Sequence, residues 1–324
     1  MELRGDWMAN RLRTEFETIR EQIGTVVFAP RSVVHLLLVA IVAGGHCLIE
    51  DVPGVGKTTL VRALATVLGC QLQRIQFTPD MLPSDVIGFS VYDKHSGQFE
   101  FRRGPVFGQM ILADEINRTS PRTQSALLQA MEERAVTVDG QTYPLPSPFI
   151  VLATENPVEF EGTFPLPEAQ LDRFLFRLSL GYPNVDDEVL MLVSHGEANP
   201  LASLEQLASP ERIGVWQQGA ATVHVDLAVL HYIAELSAGT RRHPQLNLGA
   251  SPRASLALLR AAKANAYLSG RTYVVPDDVQ CVATHVLAHR LRLAPEARFA
   301  GVAVTDVIEQ VITEVPVPHL DGAR

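Results

Sequence analysis

The segment from Asp51 to Thr58, which reads DVPGVGKT, constrains this chain more than any other part of it. It follows a short apolar run, Cys47 to Ile49, and precedes an alanine- and leucine-rich helical pattern from Leu60 to Leu68. A strand, a glycine loop and a helix in that order attract anions, because backbone N–H groups and the helix N-terminus point to one place. The order therefore predicts a phosphate-binding loop.

The loop supplies the first group of candidate ligand-binding residues. Lys57 can reach the β- and γ-phosphates of a nucleotide, and the Thr58 hydroxyl can bind magnesium. Asp51 stands where the pattern G-x-x-x-x-G-K-[ST] has its first glycine, so the match is imperfect. The alternative is a plain glycine turn before a helix. The candidate nucleotide-binding residues here are Pro53, Gly54, Val55, Gly56, Lys57, Thr58 and Thr59.

Polar residues follow two further apolar runs. Met110 to Ala113 leads into Asp114 and Glu115, and Pro148 to Thr154 leads into Asn156. We expect Asp114 to share a magnesium ion with Thr58, and Glu115 to polarise the attacking water as a general base. Asn156 is a candidate for γ-phosphate contact or for orienting that water. The plainer alternatives are the start of a loop and a turn asparagine before a proline.

Composition narrows the class of protein. The net charge of −9 suits a long nucleic-acid track poorly, because such a track needs clustered Lys and Arg. The 3 cysteines lack ligand spacing, which favours reduced thiols and a cytoplasmic location, and no signal peptide is visible. The apolar run Val33 to Val42 is shorter than the ~20 residues of a membrane span, so we expect a buried helix there.

Periodicity predicts an α/β protein with a parallel sheet flanked by helices, followed by a C-terminal helical bundle. We expect a nucleotide-binding domain at 1–182, a connector at 183–210 and a helical lid at 211–324. The last strand of the sheet is predicted at Arg177 to Leu180. Two hairpins, Phe89 to Phe101 and Ala135 to Tyr143, interrupt the alternation of strands and helices.

The same residues resemble the MoxR family of AAA+ ATPases. The matching segments are Leu48 to Thr58 for Walker A, Asp114 to Pro121 for Walker B and its continuation, Ala153 to Pro157 for sensor 1, Leu166 to Phe174 for the arginine-finger helix, and Ser251 to Arg253 for sensor 2. The likeness runs from about Ile23 to about Leu293, which is nearly the whole chain. It implies an ATPase that uses Mg2+ and assembles into a ring, in this family a hexamer.

The resemblance also assigns roles to two arginines. It implies that Arg173 is supplied to the neighbouring subunit's nucleotide, although an arginine there can also simply bind a nearby carboxylate. Arg253 is a sensor that reaches the γ-phosphate, in its own subunit or in the next. An arginine is not favoured by the dipole at a helix N-terminus, which supports a functional reason for it.

The implied work is chaperone-like remodelling or activation of a protein client, in this family often one with a von Willebrand factor A domain. The two hairpins then correspond to inserts that face a central pore, or they are surface decorations. A nucleotide switch with slow turnover that scaffolds a partner is the second hypothesis. A nucleic-acid motor is the third, and the acidic composition disfavours it.

Overall fold

The computed structural model describes residues 2–52, 54–156, 162–183, 185–194 and 200–318. Its strands are β1 (Cys47–Glu50), β2 (Leu72–Gln76), β3 (Gly88–Asp93), β4 (Gln98–Arg103), β5 (Met110–Asp114), β6 (Ala135–Val138), β7 (Gln141–Pro144), β8 (Ile150–Glu155), β9 (Phe176–Leu178), β10 (Leu246–Leu248) and β11 (Arg292–Leu293).

The helices are α1 (Glu2–Gly24), α2 (Arg31–Val42), α3 (Lys57–Leu68), α4 (Pro83–Ile87), α5 (Pro121–Glu133), α6 (Glu168–Leu171), α7 (Val185–Ser194), α8 (Pro210–Ala221), α9 (Leu227–Arg242), α10 (Pro252–Leu268), α11 (Pro276–Leu287), α12 (Pro295–Phe299) and α13 (Val304–Glu314). Short 3-10 turns occupy Pro105–Phe107, Ile116–Arg118 and Pro200–Ser203.

The central sheet has 5 strands in the order β2-β5-β8-β1-β9, and all neighbouring pairs are parallel. The apolar residues of β5 and most of β8 are buried on both faces, which is why these strands read as continuous hydrophobic runs. Because the strands are parallel, their carboxyl ends meet at one edge. Polar residues at that edge, from Glu50 on β1 to Asp114 on β5 and Asn156 after β8, therefore become neighbours.

Helices cover the sheet and continue into a C-terminal bundle, so the predicted α/β sheet with a helical lid is confirmed. One hydrophobic core joins the two parts. Phe16 of α1 packs on Trp216 of α8 with ring centroids 4.7 Å apart, and His35 of α2 lies 2.7 Å from Asn265 of α10. The apolar run of α2 is buried, and no described helix is long and apolar enough to cross a membrane.

Both hairpins are present as separate two-stranded sheets, β3–β4 and β6–β7. They contact each other, since Phe101 stacks on Tyr143 with ring centroids 4.2 Å apart. The last strand of the central sheet differs from the prediction: it is Phe176–Leu178 rather than Arg177 to Leu180. The reason is that the chain beyond Leu178 turns its polar groups to the side chain of Asp51 instead of to a strand.

Candidate nucleotide-binding site

The predicted phosphate loop lies between β1 and the start of α3. Gly54 and Gly56 have φ angles of 88° and 85°, and a side chain on either would meet open space. Backbone conformation rather than crowding therefore requires glycine at both positions. Gly56 precedes the first turn of α3, whose backbone N–H groups are left free for an anion. Pro53, which the sequence also assigns to the loop, lies outside the described residues.

Lys57 begins α3 and points its ammonium group back across the loop. Its Nζ donates to the carbonyl of Asp51 at 2.6 Å and lies 3.5 Å from the carbonyl of Glu155. Burial lowers the pKa of Lys57, and the negative charges of Asp51, Asp114 and Glu115 oppose that shift. The lysine and the two carboxylates of the β5 tip therefore belong to one electrostatic site.

Asp51 has a structural role that the sequence pattern did not reveal. Its buried carboxylate accepts hydrogen bonds from the Ser179 hydroxyl at 2.9 Å, from the backbone N–H of Gly181 at 3.2 Å and from that of Leu180. A glycine at this position would leave those donors without a partner. Asp51 thus connects the start of the phosphate loop, through hydrogen bonds, to the segment that follows β9.

Asp114 ends β5 and is buried among polar partners. Its Oδ1 accepts from the Thr154 hydroxyl at 2.6 Å, and its Oδ2 accepts from Arg74 Nη2 at 2.7 Å. Asp114 contributes carboxylate oxygens and Thr58 a hydroxyl oxygen, and oxygen atoms are the ligands that Mg2+ prefers. Arg74 already gives Asp114 Oδ2 a cationic partner, so part of the charge of this carboxylate is balanced within the chain. Sequence reasoning missed Arg74 and Thr154, which lie on the two strands beside β5.

Glu115 follows Asp114 with a φ of 57°, a left-handed conformation that few residues other than glycine adopt. Its backbone N–H donates to Thr154 Oγ1 at 2.9 Å, and its Oε2 accepts from Gln76 Nε2 at 2.9 Å. Arg118 lies 3.3 Å from the same carboxylate oxygen. Glu115 is therefore held in place by side chains while 29% of its own side chain stays exposed. Strain of this kind concentrates at functional sites.

Asn156 lies one residue beyond β8, beside the tip of β5. Its side chain is buried, and its carbonyl accepts from Asn117 Nδ2 at 3.3 Å.

Val55 and Thr59 line a small cavity of about 70 Å3 together with the loop glycines. Its other walls are apolar and come from Val26, Val27, Phe28 and Pro183. Sequence reasoning did not identify that wall, because nothing in residues 26–28 distinguishes them from core.

Arg173 and Arg253 do not reach the phosphate loop. Both lie at Glu132 of α5: Arg173 Nε donates to one carboxylate oxygen at 2.9 Å, and Arg253 Nη2 is 3.7 Å from the other. The two arginines line a cavity of about 500 Å3 that shares no lining residue with the small cavity at the loop. Ser251 caps α10 by accepting from the N–H of Ala254, which fixes Arg253 in the first turn.

Arg290 fixes the position of the loop that carries Arg173. This buried guanidinium binds the Asp172 carboxylate at 2.6 Å and the carbonyls of Asp172 and Phe174 at 3.0 and 2.6 Å. It therefore donates hydrogen bonds to the backbone on both sides of Arg173. Because Arg290 follows α11, the helical lid and this loop are joined at that point.

The comparisons with known proteins agree with this arrangement. The family described as "ATPase family associated with various cellular activities (AAA)" matches residues 46–176, and the AAA lid domain matches residues 238–311. The crystal structure of a candidate ATPase from Cytophaga hutchinsonii superposes with a TM-score of 0.90 at 38% identity, covering 98% of this chain and 100% of that one. Fold and site thus define an AAA-type ATPase.

Two relatives narrow the class. The chain is 51% identical to the protein YeaC of Bacillus subtilis over 92% of its own length and 93% of that protein. It is 40% identical to the protein named Chaperone MoxR1 of Mycobacterium tuberculosis, over 97% of its own length and 86% of that protein. The chain belongs to the MoxR family of AAA+ ATPases.

Proposed function

We propose that this protein is a Mg2+-dependent ATPase that works as a ring and remodels or activates a protein client. The observation that carries the chemical part is the convergence of Lys57, Asp114 and Glu115 at the carboxyl edge of the sheet. These residues match the cradle, the metal-binding carboxylate and the general base of nucleotide hydrolysis. In this proposal the protein acts in the cytoplasm and keeps no stable nucleic-acid partner.

The residues divide the reaction among themselves. The loop N–H groups and Lys57 bind the phosphates, and Thr58 and Asp114 hold the metal. A bound Mg2+ would offset the negative charge of the nucleotide's phosphates. Glu115 accepts a proton from the attacking water, and Asn156 orients that water beside the γ-phosphate. Gln76 keeps the Glu115 carboxylate at the strand tip until the water is in position.

The separation of Arg173 and Arg253 from the loop supports the ring. Within one chain they line a different cavity, which supports their serving the nucleotide of a second subunit. An arginine supplied in this way stabilises the charge on the transferring phosphoryl group. We assign both arginines to the neighbour's nucleotide, in a hexamer by resemblance to the family.

The client is the least defined part of the proposal. The name Chaperone MoxR1 of one relative supports chaperone-like work here. A client with a von Willebrand factor A domain is the first candidate, by resemblance to the family. A slow switch that scaffolds a partner remains the alternative, and a client that does not change the hydrolysis rate favours it.

Two substitutions test the chemistry. Lys57→Ala should abolish ATP binding at the phosphate loop, because the loop then lacks its only lysine. Glu115→Gln should keep binding and lose hydrolysis by about 10²–10⁴-fold, the usual contribution of a general base. Binding is measured with a fluorescent nucleotide and hydrolysis by phosphate release. Full hydrolysis by Glu115→Gln would rule out the general-base assignment.

A further inference from the structure

The cavity beside Arg173 is unusually rich in arginine. It has a volume of about 500 Å3 and lies between α5, the loop after α6 and the lid helix α10. Its charged lining residues are Arg134, Arg173, Arg253, Arg260, Arg290, Glu132 and Asp172. Five cations against two carboxylates leave an excess of three positive charges.

Two of the three excess charges belong to Arg134 and Arg260, and the third belongs to the pair Arg173 and Arg253. Asp172 neutralises Arg290, and Glu132 is shared by Arg173 and Arg253. The side chain of Arg134 donates to the carbonyl of Gly44 at 2.6 Å and has no carboxylate partner among the described residues. Arg260 makes no hydrogen bond or ion pair with any residue in the described ranges.

Arg134 and Arg260 also repel each other. Burial lowers the pKa of Arg260 and the charge of Arg134 lowers it further, although the side chain is open to water through the mouth of the cavity. Two arginines placed together without a counter-ion destabilise an empty site. An anion that enters the cavity removes this repulsion and gains charge-assisted hydrogen bonds from both.

The backbone of Arg134 has an energetically unfavourable conformation, in addition to the repulsion between the two side chains. Arg134 ends α5 with a φ of 52°, the left-handed conformation that glycine or asparagine usually takes at this position. The positive charge suits the C-terminus of the helix, but the left-handed backbone is unfavourable for a side chain of this size. Such a conformation beside a charged cavity points to a functional reason for the side chain.

The lid contributes two cations on one face. Arg253 and Arg260 are seven residues apart on α10, which is two helical turns, so both side chains face the cavity. Leu256 and Ala257 lie between them and form the apolar floor. Arginine rather than lysine at all four positions suits phosphate, because the planar guanidinium binds two phosphate oxygens at once.

We propose that Arg134 and Arg260 join Arg173 and Arg253 in a polyphosphate-binding site that takes the phosphate chain of the nucleotide bound by the neighbouring subunit. This inference rests on the proposed ring and adds two residues to it. Glu132 acts as the internal counter-ion of the isolated subunit. It holds Arg173 through Nε, which leaves the two terminal nitrogens of that guanidinium free for phosphate oxygens.

The anion site is tested first without the phosphate loop. In a Lys57→Ala background, binding of inorganic triphosphate is measured by calorimetry. Adding Arg260→Ala should weaken it about tenfold or more, since one charge-assisted contact is lost. Lys263→Ala removes a cation from the same helix outside the cavity, and it should change nothing. Equal affinities for these two variants, or no binding by Lys57→Ala alone, overturn the site.

The source of the phosphate is tested by mixing subunits. Arg260→Ala should hydrolyse ATP about tenfold more slowly, while the loop and Lys57 of each subunit still bind the nucleotide. Adding Glu115→Gln subunits should restore activity, because an interface then pairs an intact Glu115 with intact arginines. Loss of triphosphate binding without such rescue means that the ligand is a free polyanion and overturns the neighbour as source. Arg134→Lys keeps the positive charge but loses the planar guanidinium that binds two phosphate oxygens. Its hydrolysis rate and triphosphate affinity should lie between those of the wild type and those of Arg260→Ala.

The two levels of the proposal fail differently. If wild-type turnover per subunit does not rise with protein concentration, the proposed ring fails. If it does rise, and Arg134→Lys and Arg260→Ala both match the wild type in turnover and triphosphate binding, only the additional arginines are refuted.

Discussion

The loop end of the sheet and the arginine cavity differ in how their charges are balanced. At the loop, Asp51 has backbone and hydroxyl donors, Asp114 has Arg74, and Glu115 has Gln76. In the cavity, Arg134 and Arg260 have no carboxylate partner among the described residues. The charged groups at the loop are balanced within the chain, whereas the cavity keeps an excess of positive charge. This difference is what the proposed ring requires of a subunit that carries the loop half of one catalytic site and the arginine half of another.

The two regions also differ in how the chain builds them. The loop site uses the tips of adjacent parallel strands, so its geometry follows from the sheet alone. The cavity needs α5, the loop after α6, and α10 of the lid to be packed together. Arg290 holds that packing by binding the backbone on both sides of Arg173. The lid therefore contributes directly to the cavity, through Arg290 and α10.

The largest effect is expected at Arg173. If the cavity completes the neighbour's site, Arg173→Ala should slow hydrolysis by roughly 10³–10⁵-fold, as loss of an arginine finger does in related enzymes. ATP binding should fall far less than hydrolysis, because the loop and Lys57 of each subunit still bind the phosphates. Phosphate release and nucleotide affinity are measured over a range of protein concentrations.

The control for Arg173 is the mixture with Glu115→Gln. Each variant alone is inactive for a different reason, and a mixed ring contains interfaces with both intact groups. Activity should therefore reappear on mixing. A monodisperse monomer with concentration-independent turnover would contradict the division into two half-sites.

Asp51→Gly tests whether the hydrogen bonds of the Asp51 carboxylate stabilise the loop region. The substitution restores the glycine of the general phosphate-loop pattern, yet we expect it to lower the free energy of unfolding by about 2–4 kcal/mol. The reason is that Ser179, Leu180 and Gly181 lose the carboxylate they bind. Asp51→Asn, which keeps the size and one acceptor, should lose less. Denaturant unfolding measures both, and an unchanged midpoint for Asp51→Gly would refute the anchoring role.

The sheet and the lid were predictable because their signals are local. The strand, loop and helix around Lys57 lie within about twenty residues of one another, and the apolar runs before Asp114 and Asn156 mark buried strands. The parallel order of those strands then brings the three tips together. The roles of these residues in catalysis remain predictions.

The supporting contacts were not predictable because their partners are far apart in sequence. Asp51 meets Gly181 across 130 positions and Arg290 meets Asp172 across 118. No periodicity or motif connects such pairs, and each contact depends on the packing of the whole domain. The grouping of Arg134 with Arg260 is of the same kind. A misplaced strand end, at Leu180, had the same cause.

A smaller effect is expected at Glu155, the residue beside Asn156. It lies opposite Glu50 in the sheet, and burial and that neighbour raise its pKa from 4.5 to about 7. The folded state therefore holds the proton more tightly, so this residue's contribution to stability falls as the pH rises from about 4.5 to about 7.

Glu155→Gln isolates that contribution. The difference in unfolding free energy between the variant and the wild type should change by about 2 kcal/mol between acidic and neutral pH. His46, whose pKa burial lowers to about 3, affects both proteins equally and cancels. The exposed Glu133→Gln is the matched control and should show no such change. Parallel stability profiles for Glu155→Gln and the wild type would refute the raised pKa.

The smallest effect on hydrolysis is expected at the hairpins, which belong to neither region. Replacing the tip residues His95 and Gln98, or Asp139 and Gln141, should leave basal ATPase within a few-fold of the wild type. The tips lie on separate two-stranded sheets outside both cavities. Client binding and client-stimulated hydrolysis should fall in both variants. Hydrolysis can drive remodelling only if some element contacts the client differently in the ATP and ADP states.

The hairpins can carry such a difference because of where they are attached. The β3–β4 hairpin leads through Pro105–Phe107 into β5, which ends at Asp114, and the β6–β7 hairpin follows Arg134 and leads to β8, which ends beside Asn156. Movement at the loop site or in the arginine cavity thus reaches a hairpin through one strand or one helix end. If both hairpin variants keep full client binding and stimulation, the client contacts another surface, and the helical lid is then the first to test.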